Sequence, residues 1–302
     1  MVPPMRKPVY IHAGAHRTGT SSFQLCLSEN RPVLHRQGLD VVYPGRDGVP
    51  GGNLRLSLPR PRHGEKRVPE FAAGLRRVLQ AQLSDRARGL ILSEENIPGP
   101  MRHFYDGRFF PAAGKRFRSL GAALGAPPTR MIYVVRSYAD LYLSAYRKRA
   151  EDNPVPDFTD LVPHFLAMDR GWPDLLAEMR DELRPSQLIV LAYEHRGDSR
   201  SLLRHLVPDL ENVALSEPGT AMNLSATDAA LIALQARYRT GQTLSRPAWQ
   251  AVLKQYAPDT AQRGFAAFNT QDRAALHARY QQDLARLAEM PGISLMLPAR
   301  PV

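Results

Sequence analysis

The segment Gly14-Ala15-His16-Arg17-Thr18-Gly19-Thr20-Ser21 places two glycines, separated by four residues, between a β-prone run at Val9–Ala13 and a helical pattern that opens near Ser21. That is the frame of an anion-binding loop: small residues let backbone N–H groups face a phosphate, and the helix adds its positive dipole end. Arg17 contributes the loop's cation, and the hydroxyls of Thr18, Thr20, Ser21 and Ser22 are further candidate donors. A kinase or ATPase loop needs lysine directly after the second glycine, where this chain has Thr20, so ATP chemistry is disfavoured. A plain strand-to-helix turn capped by Ser and Thr is the bland alternative.

A second anion site is suggested by Arg130–Val135, a strand pattern that runs directly into Arg136 and is followed by a helical stretch holding Ser144 and Tyr146. In a parallel sheet Arg136 stands at a strand's carboxyl end, the rim along which open α/β sheets bind ligands. It would share that rim with the glycine loop. Ser144, about two helical turns further on, could bracket one phosphate with Arg136. Two such sites suit a bisphosphorylated nucleotide. Taken singly, Arg136 could instead pair with Asp140, and Ser144 could be an ordinary helix residue.

Strand and helix patterns alternate around these two segments. Strands are expected at Val9–Ala13, Leu39–Tyr43, Gly89–Ser93, Arg130–Val135 and Leu188–Leu191, the last completing the sheet. Helices are expected from Ser21, over Val68–Arg86 and near Asp174–Leu183. Alternation of this kind argues a parallel sheet covered on both faces. Residues 44–69 and 98–115 mix Gly and Pro without helical period and read as long loops over the sheet. After Ser225 the chain is mostly helical, with Ser225 or Thr227 capping Ala229–Arg237 and a long amphipathic stretch over Thr270–Met290.

With 302 residues, 43% of them hydrophobic, the composition is globular. No apolar run follows the basic residues before Val9, and no stretch approaches a membrane span, so a signal peptide and an anchor are not expected. A single cysteine, Cys26, rules out an intramolecular disulfide and suits a reducing, cytoplasmic setting. Forty Lys and Arg against 29 Asp and Glu give a net charge of +11, which calls for an anionic partner without naming it.

Taken together, Arg17–Ser22 after a strand and Val134-Val135-Arg136 leading to Ser144-Ala145-Tyr146 resemble the two cofactor motifs of sulfotransferases that use 3′-phosphoadenosine 5′-phosphosulfate (PAPS). Leu92-Ser93-Glu94-Glu95-Asn96, Tyr193-Glu194 and Met222-Asn223-Leu224-Ser225 extend the likeness to bacterial members similar to carbohydrate sulfotransferases, over roughly residues 8–225. The resemblance implies a three-layer α/β, P-loop-like fold with a central parallel sheet and a mostly helical C-terminal part. It implies one domain over 1–302, with a core at about 8–225 and a helical extension at about 226–302.

By the same likeness Arg17, Thr18, Gly19, Thr20, Ser21 and Ser22 grip the 5′-phosphosulfate, Arg136 and Ser144 hold the 3′-phosphate, and Glu95 is the catalytic base. Glu94, His12 and His16 compete for that last role. PAPS is the implied donor, with no metal. The acceptor is a hydroxyl or amine compound, a glycan by slight preference or a lipid, and nucleic acid is not expected. Basic residues of Arg55–Arg67 would suit an acidic glycan; Phe104, Tyr105, Phe109 and Phe110 would suit a lipid or aromatic alcohol. Arg17 departs from the family's usual lysine. Its guanidinium stays protonated, so its catalytic part is to stabilise charge on the leaving phosphate and not to donate a proton. Arg263-Gly264 is a further candidate for closing over the nucleotide. Two rival readings are a P-loop nucleotide kinase and a non-catalytic basic module for nucleic acid or polysaccharide.

Overall fold

The computed structural model describes residues 7–45, 48–219 and 225–297. Six strands form one sheet: β1 (Val9–His12), β2 (Leu39–Val42), β3 (Gly89–Ser93), β4 (Arg130–Val135), β5 (Leu188–Ala192) and β6 (Ile293–Met296). They lie in the order β2-β3-β1-β4-β5-β6, and every neighbouring pair is parallel. All carboxyl ends therefore meet at one edge, with β1 at the centre.

Eleven α-helices are described: α1 (Thr20–Glu29), α2 (Arg31–Arg36), α3 (Val68–Gln80), α4 (Ala113–Leu124), α5 (Tyr138–Ala150), α6 (Phe158–Leu166), α7 (Trp172–Leu183), α8 (Ser199–Leu206), α9 (Asp228–Arg239), α10 (Arg246–Tyr256) and α11 (Thr270–Glu289). Successive strand side chains point to opposite faces, and both faces are apolar. Ile132 and Val134 of β4 meet Phe23, Leu27, Leu203 and Leu206 from α1 and α8. Met131, Tyr133 and Val135 of the same strand meet Phe117, Trp172 and Leu176 from α4 and α7. Three layers result: α1, α2 and α8; the sheet; then α3, α4, α5, α7 and α11.

Two expectations need correction. Leu188–Leu191 does not complete the sheet, because β6, from the C-terminal part, pairs in parallel with β5. The helix expected over Val68–Arg86 ends at Gln80, since the buried Asp40 on β2 draws the following chain into a turn by accepting from the Ser84 N–H at 2.6 Å. The helix expected after Ser225 is capped by Thr227, whose side chain accepts from the Ala230 N–H. The C-terminal helices are not a loose appendage. Leu276, Tyr280 and Leu287 of α11 join the main core, and the Tyr138 hydroxyl donates to Asp283 at 2.5 Å.

Candidate functional site

Past its last paired residue, β1 keeps hydrogen-bonding along β4: Ala13 N–H donates to Ile132 O, and Ala15 N–H donates to Val134 O, each at 3.1 Å. This carries the glycine loop to the level of Val134, two residues short of Arg136. Gly14 (φ 101°), Arg17 (φ 62°) and Gly19 (φ 84°) take left-handed backbone, a costly conformation for Arg17 that persists only where the surroundings hold it. The Thr18 and Thr20 hydroxyls both donate to Ala15 O, at 2.7 and 3.1 Å. They fold the loop on itself; the expected outward donation from these two hydroxyls is not what the structure has. Ser21 and Ser22 are half-buried in the first turn of α1, and Gly19 at its N-cap supplies no side-chain cap. The helix therefore points the positive end of its dipole into the loop.

The two halves of the expected site come together. Arg17 Nε donates to Ser144 Oγ at 2.8 Å, and an Arg136 Nη1–H donates to the Arg17 carbonyl at 2.7 Å. Asp140 is not the partner of Arg136, since it takes the Ser137 hydroxyl and faces Arg273. Pairing of Val135 with Ala192 sets the next residue, Tyr193, beside Arg136, and the guanidinium lies 4.7 Å from the ring centroid. Nε of Arg136 is buried without a hydrogen-bond partner.

Arg196 is a candidate site residue that sequence reasoning misses. It follows β5 by a short turn, and its guanidinium covers Gly19 so closely that a methyl group there would lie 2.7 Å from Nη2. Nη1 of Arg196 is also buried and unpartnered. Its sequence signal, one more arginine just past a strand's carboxyl end, is weak in a chain with so many. Three guanidinium groups thus surround one short loop, and two of them keep an N–H unused.

Glu95 follows β3 and backs onto Gly14, where an added methyl would approach the Glu95 Cα to 3.2 Å. One of its oxygens lies 3.4 Å from His16 Nδ1. His16 Nε2 is 2.9 Å from the Gly99 carbonyl. A carbonyl only accepts, so Nε2 carries the hydrogen and Nδ1 is placed to exchange a proton with Glu95. Glu94 is buried, accepts from the Asn96 N–H at 2.8 Å and lies in the field of the buried Arg116. His12 is buried against Ser93, 3.0 Å from Nδ1 to Oγ. Burial first, then the charge of Arg196, lower its pKa to about 3 against the opposing pull of Glu95. A ring so reluctant to take a proton is a poor base.

Other sequence candidates lie elsewhere. Phe104, Phe109 and Phe110 are buried in an aromatic cluster with Tyr138, Tyr142 and Trp172, so three of the four expected ligand-facing aromatics are core, while Tyr105 is half-buried against Tyr146 and Phe165. The Arg263 guanidinium is engaged by Asp259 at 2.7 Å, and its backbone N–H by Asp228. Met222, Asn223 and Leu224 lie outside the described residues. Among the described residues no three His, Cys, Asp or Glu side chains converge as a metal site, and no helix is long and apolar enough to cross a membrane.

No family model matches the chain, and no curated protein matches it. Among solved structures, a sulfotransferase from Alicyclobacillus acidocaldarius is similar at 13% identity, over 89% of this chain and 99% of that one, with a TM-score of 0.37. The signal recognition particle receptor FtsY from Elizabethkingia anophelis, in complex with GDP, is similar at 11% identity over 74% and 62%, with a TM-score of 0.31. Likenesses this loose carry no argument about activity, which must rest on the residues themselves.

Proposed function

We propose that the protein transfers a sulfuryl group from PAPS to a hydroxyl acceptor. The observation that carries the reading is the convergence of Arg17, Ser144 and Arg136, linked at 2.8 and 2.7 Å from two distant stretches of sequence. A nucleotide with phosphates at both its 3′ and 5′ positions matches two adjoining anion sites. Two further observations support the reading. Arg136 Nε and Arg196 Nη1 are buried donors awaiting acceptors, and Gly19 keeps its Cα bare beneath Arg196.

In this reading Arg17, Arg196 and the first-turn N–H groups of α1 hold the 5′ end, while Arg136 and Ser144 hold the 3′-phosphate. Bound PAPS supplies an activated sulfur whose bond to the 5′-phosphate breaks as the acceptor oxygen bonds to it. Glu95 receives the acceptor's proton, and the bare Nδ1 of His16, 3.4 Å away, can take that proton onward. Arg17 stabilises the negative charge that grows on the phosphate side, a fixed cation needing no reorganisation as the reaction proceeds. Holding the two reactants in line is itself a large part of the acceleration.

Calorimetry with adenosine 3′,5′-bisphosphate on wild type and Arg136→Ala, followed by transfer of labelled sulfate from PAPS to a pooled acceptor library, tests the reading. Wild type binds, and the variant binds much more weakly. Absence of binding to wild type, or stabilisation by ATP with magnesium but not by the bisphosphate, overturns it.

A further inference from the structure

Arg136 is held from both faces of the sheet. On the side of α1 and α8, its guanidinium is fixed by the Arg17 carbonyl at 2.7 Å and by the ring of Tyr193. On the side of α4 and α7, its backbone carbonyl accepts from the indole Nε1–H of Trp172, the first residue of α7, at 2.9 Å. Holding that carbonyl holds the rigid peptide plane between β4 and α5, and with it the direction in which the arginine leaves the strand end.

Trp172 is itself set from α5 and α11. Its backbone N–H is a first-turn group that Gly171, at the N-cap, has no side chain to satisfy, and it donates to the Tyr138 hydroxyl at 2.7 Å. The hydroxyl in turn donates to Oδ2 of Asp283 on α11 at 2.5 Å. Burial, and then the charge of Asp283, raise the pKa of Tyr138. The phenol therefore keeps its hydrogen, gives it to the carboxylate, and leaves a lone pair for the Trp172 N–H. The Tyr138 ring is clamped as well. It stacks on Trp172 with centroids 5.9 Å apart and is covered by the Arg279 guanidinium at 5.2 Å, while Arg279 donates to the carbonyls of Met168 and Arg170.

Two features of this relay do not follow from packing. Asp283 is buried among core residues, and its second oxygen, Oδ1, faces the largely exposed Arg286 at 3.4 Å. A carboxylate in that setting costs more than an apolar side chain of the same size. Gly171 has extended backbone that any residue adopts, yet a methyl group there would run into both Asp283 Oδ2 and Tyr138 Oη. The start of α7 is bare because the tyrosine and the aspartate fill the space. Both features maintain a chain of hydrogen bonds that ends on Arg136.

We infer that Asp283, Tyr138 and Trp172 are positioning residues that align Arg136 on the 3′-phosphate, so that α11 sets the preference for a doubly phosphorylated nucleotide. The identity of the ligand rests on the sulfuryl-transfer reading; the relay rests on the geometry alone. The three residues act through Arg136, whose charge-assisted bond to a phosphate oxygen weakens as soon as the guanidinium is turned or shifted.

Calorimetry with adenosine 3′,5′-bisphosphate and with adenosine 5′-phosphate reads the relay as a ratio of affinities, since misalignment of Arg136 is felt by the 3′-phosphate and general loosening by both ligands. Wild type prefers the bisphosphate, and Arg136→Ala abolishes the preference. Tyr138→Phe keeps the ring and removes the oxygen shared by both bonds. It lowers the preference about ten-fold, while affinity for the 5′-phosphate stays within about two-fold of wild type. Asp283→Ala does the same, and Asp283→Asn, which still accepts from the phenol, regains most of the preference. Gly171→Ala wedges the pair apart and gives a third reading of the same ratio where another variant fails to fold. An unchanged preference in the folded variants, equal losses for both nucleotides, or no recovery in Asp283→Asn overturns the inference and leaves the donor reading standing. Loss of folding in Tyr138→Phe, Asp283→Ala and Gly171→Ala alike assigns the relay to stability and overturns it too. Wild type without a preference for the bisphosphate, or a preference that survives Arg136→Ala, sinks the donor reading and the inference with it.

Discussion

Nε of Arg17 donates to Oγ of Ser144 across 2.8 Å, tying the loop after β1 to the second turn of α5. The bond orients the guanidinium and sets the hydroxyl beside the loop whose Arg17 carbonyl accepts from Arg136. Ser144→Ala therefore lowers affinity for adenosine 3′,5′-bisphosphate by about ten-fold, the worth of a charge-assisted hydrogen bond at the lower end of its range. Arg17→Lys keeps the charge and retains most sulfate transfer, whereas Arg17→Ala loses it. Calorimetry and single-turnover transfer read the two effects. Equal turnover in Arg17→Ala and wild type would remove Arg17 from the chemistry.

Arg196 sits over Gly19 with Nη1 buried and unpartnered, an arrangement that costs stability unless a ligand completes it. Replacing it by methionine keeps the bulk and removes the orphaned donor. Arg196→Met should leave the thermal midpoint unchanged or raised while weakening the bisphosphate by about ten-fold or more. A side chain serving only the fold would behave in the opposite way, losing stability and sparing affinity. Differential scanning calorimetry with and without nucleotide separates the two.

Much of this arrangement is legible in the amino-acid sequence. The apolar runs of β1, β3, β4 and β5 are buried on both sides, so continuous hydrophobicity marks them, and the glycine spacing marks the loop. Placing Arg136 at a carboxyl end needs only the assumption of a parallel sheet. β6 is not legible because four residues with Ser294 among them make a weak pattern, and its partner β5 is a hundred residues or so earlier in the chain. The inward turn of Thr18 and Thr20 is hidden because one carbonyl, Ala15 O, takes both hydroxyls, a competition that composition does not show. The aromatic run at Phe104–Phe110 has the composition of a ligand surface, yet rings of that size satisfy themselves by packing on one another in the core.

Adjacent carboxylates after β3 have different settings, and the difference is testable. Glu94 is buried and anchors the turn through the Asn96 N–H, while Glu95 is partly exposed and faces His16. Glu95→Gln should abolish sulfate transfer with bisphosphate affinity nearly intact, the signature of a group needed only as the proton moves. Glu94→Gln should lower stability, measured by urea unfolding, and reduce turnover far less. If Glu94→Gln is the inactive but stable variant, the assignment of the base is reversed.

His12 gives the fold an acid-sensitive element at the foot of the loop. Its pKa falls from 6.5 to about 3, with burial the main cause and Arg196 the second. Between those values the unfolded chain carries a proton on this ring and the folded chain does not. Stability is therefore lost as pH falls from about 6.5 toward 3, at up to about 1.4 kcal/mol per pH unit, and is indifferent to this group above that window. Carboxylates add their own acid dependence, but they are common to wild type and to His12→Gln, so the difference between the two urea-unfolding profiles isolates the histidine. The glutamine variant should lose stability more slowly on acidification, whatever its stability at pH 7. Parallel profiles from pH 7 to 4 would mean that the ring takes up its proton as readily in the folded chain as in the unfolded one.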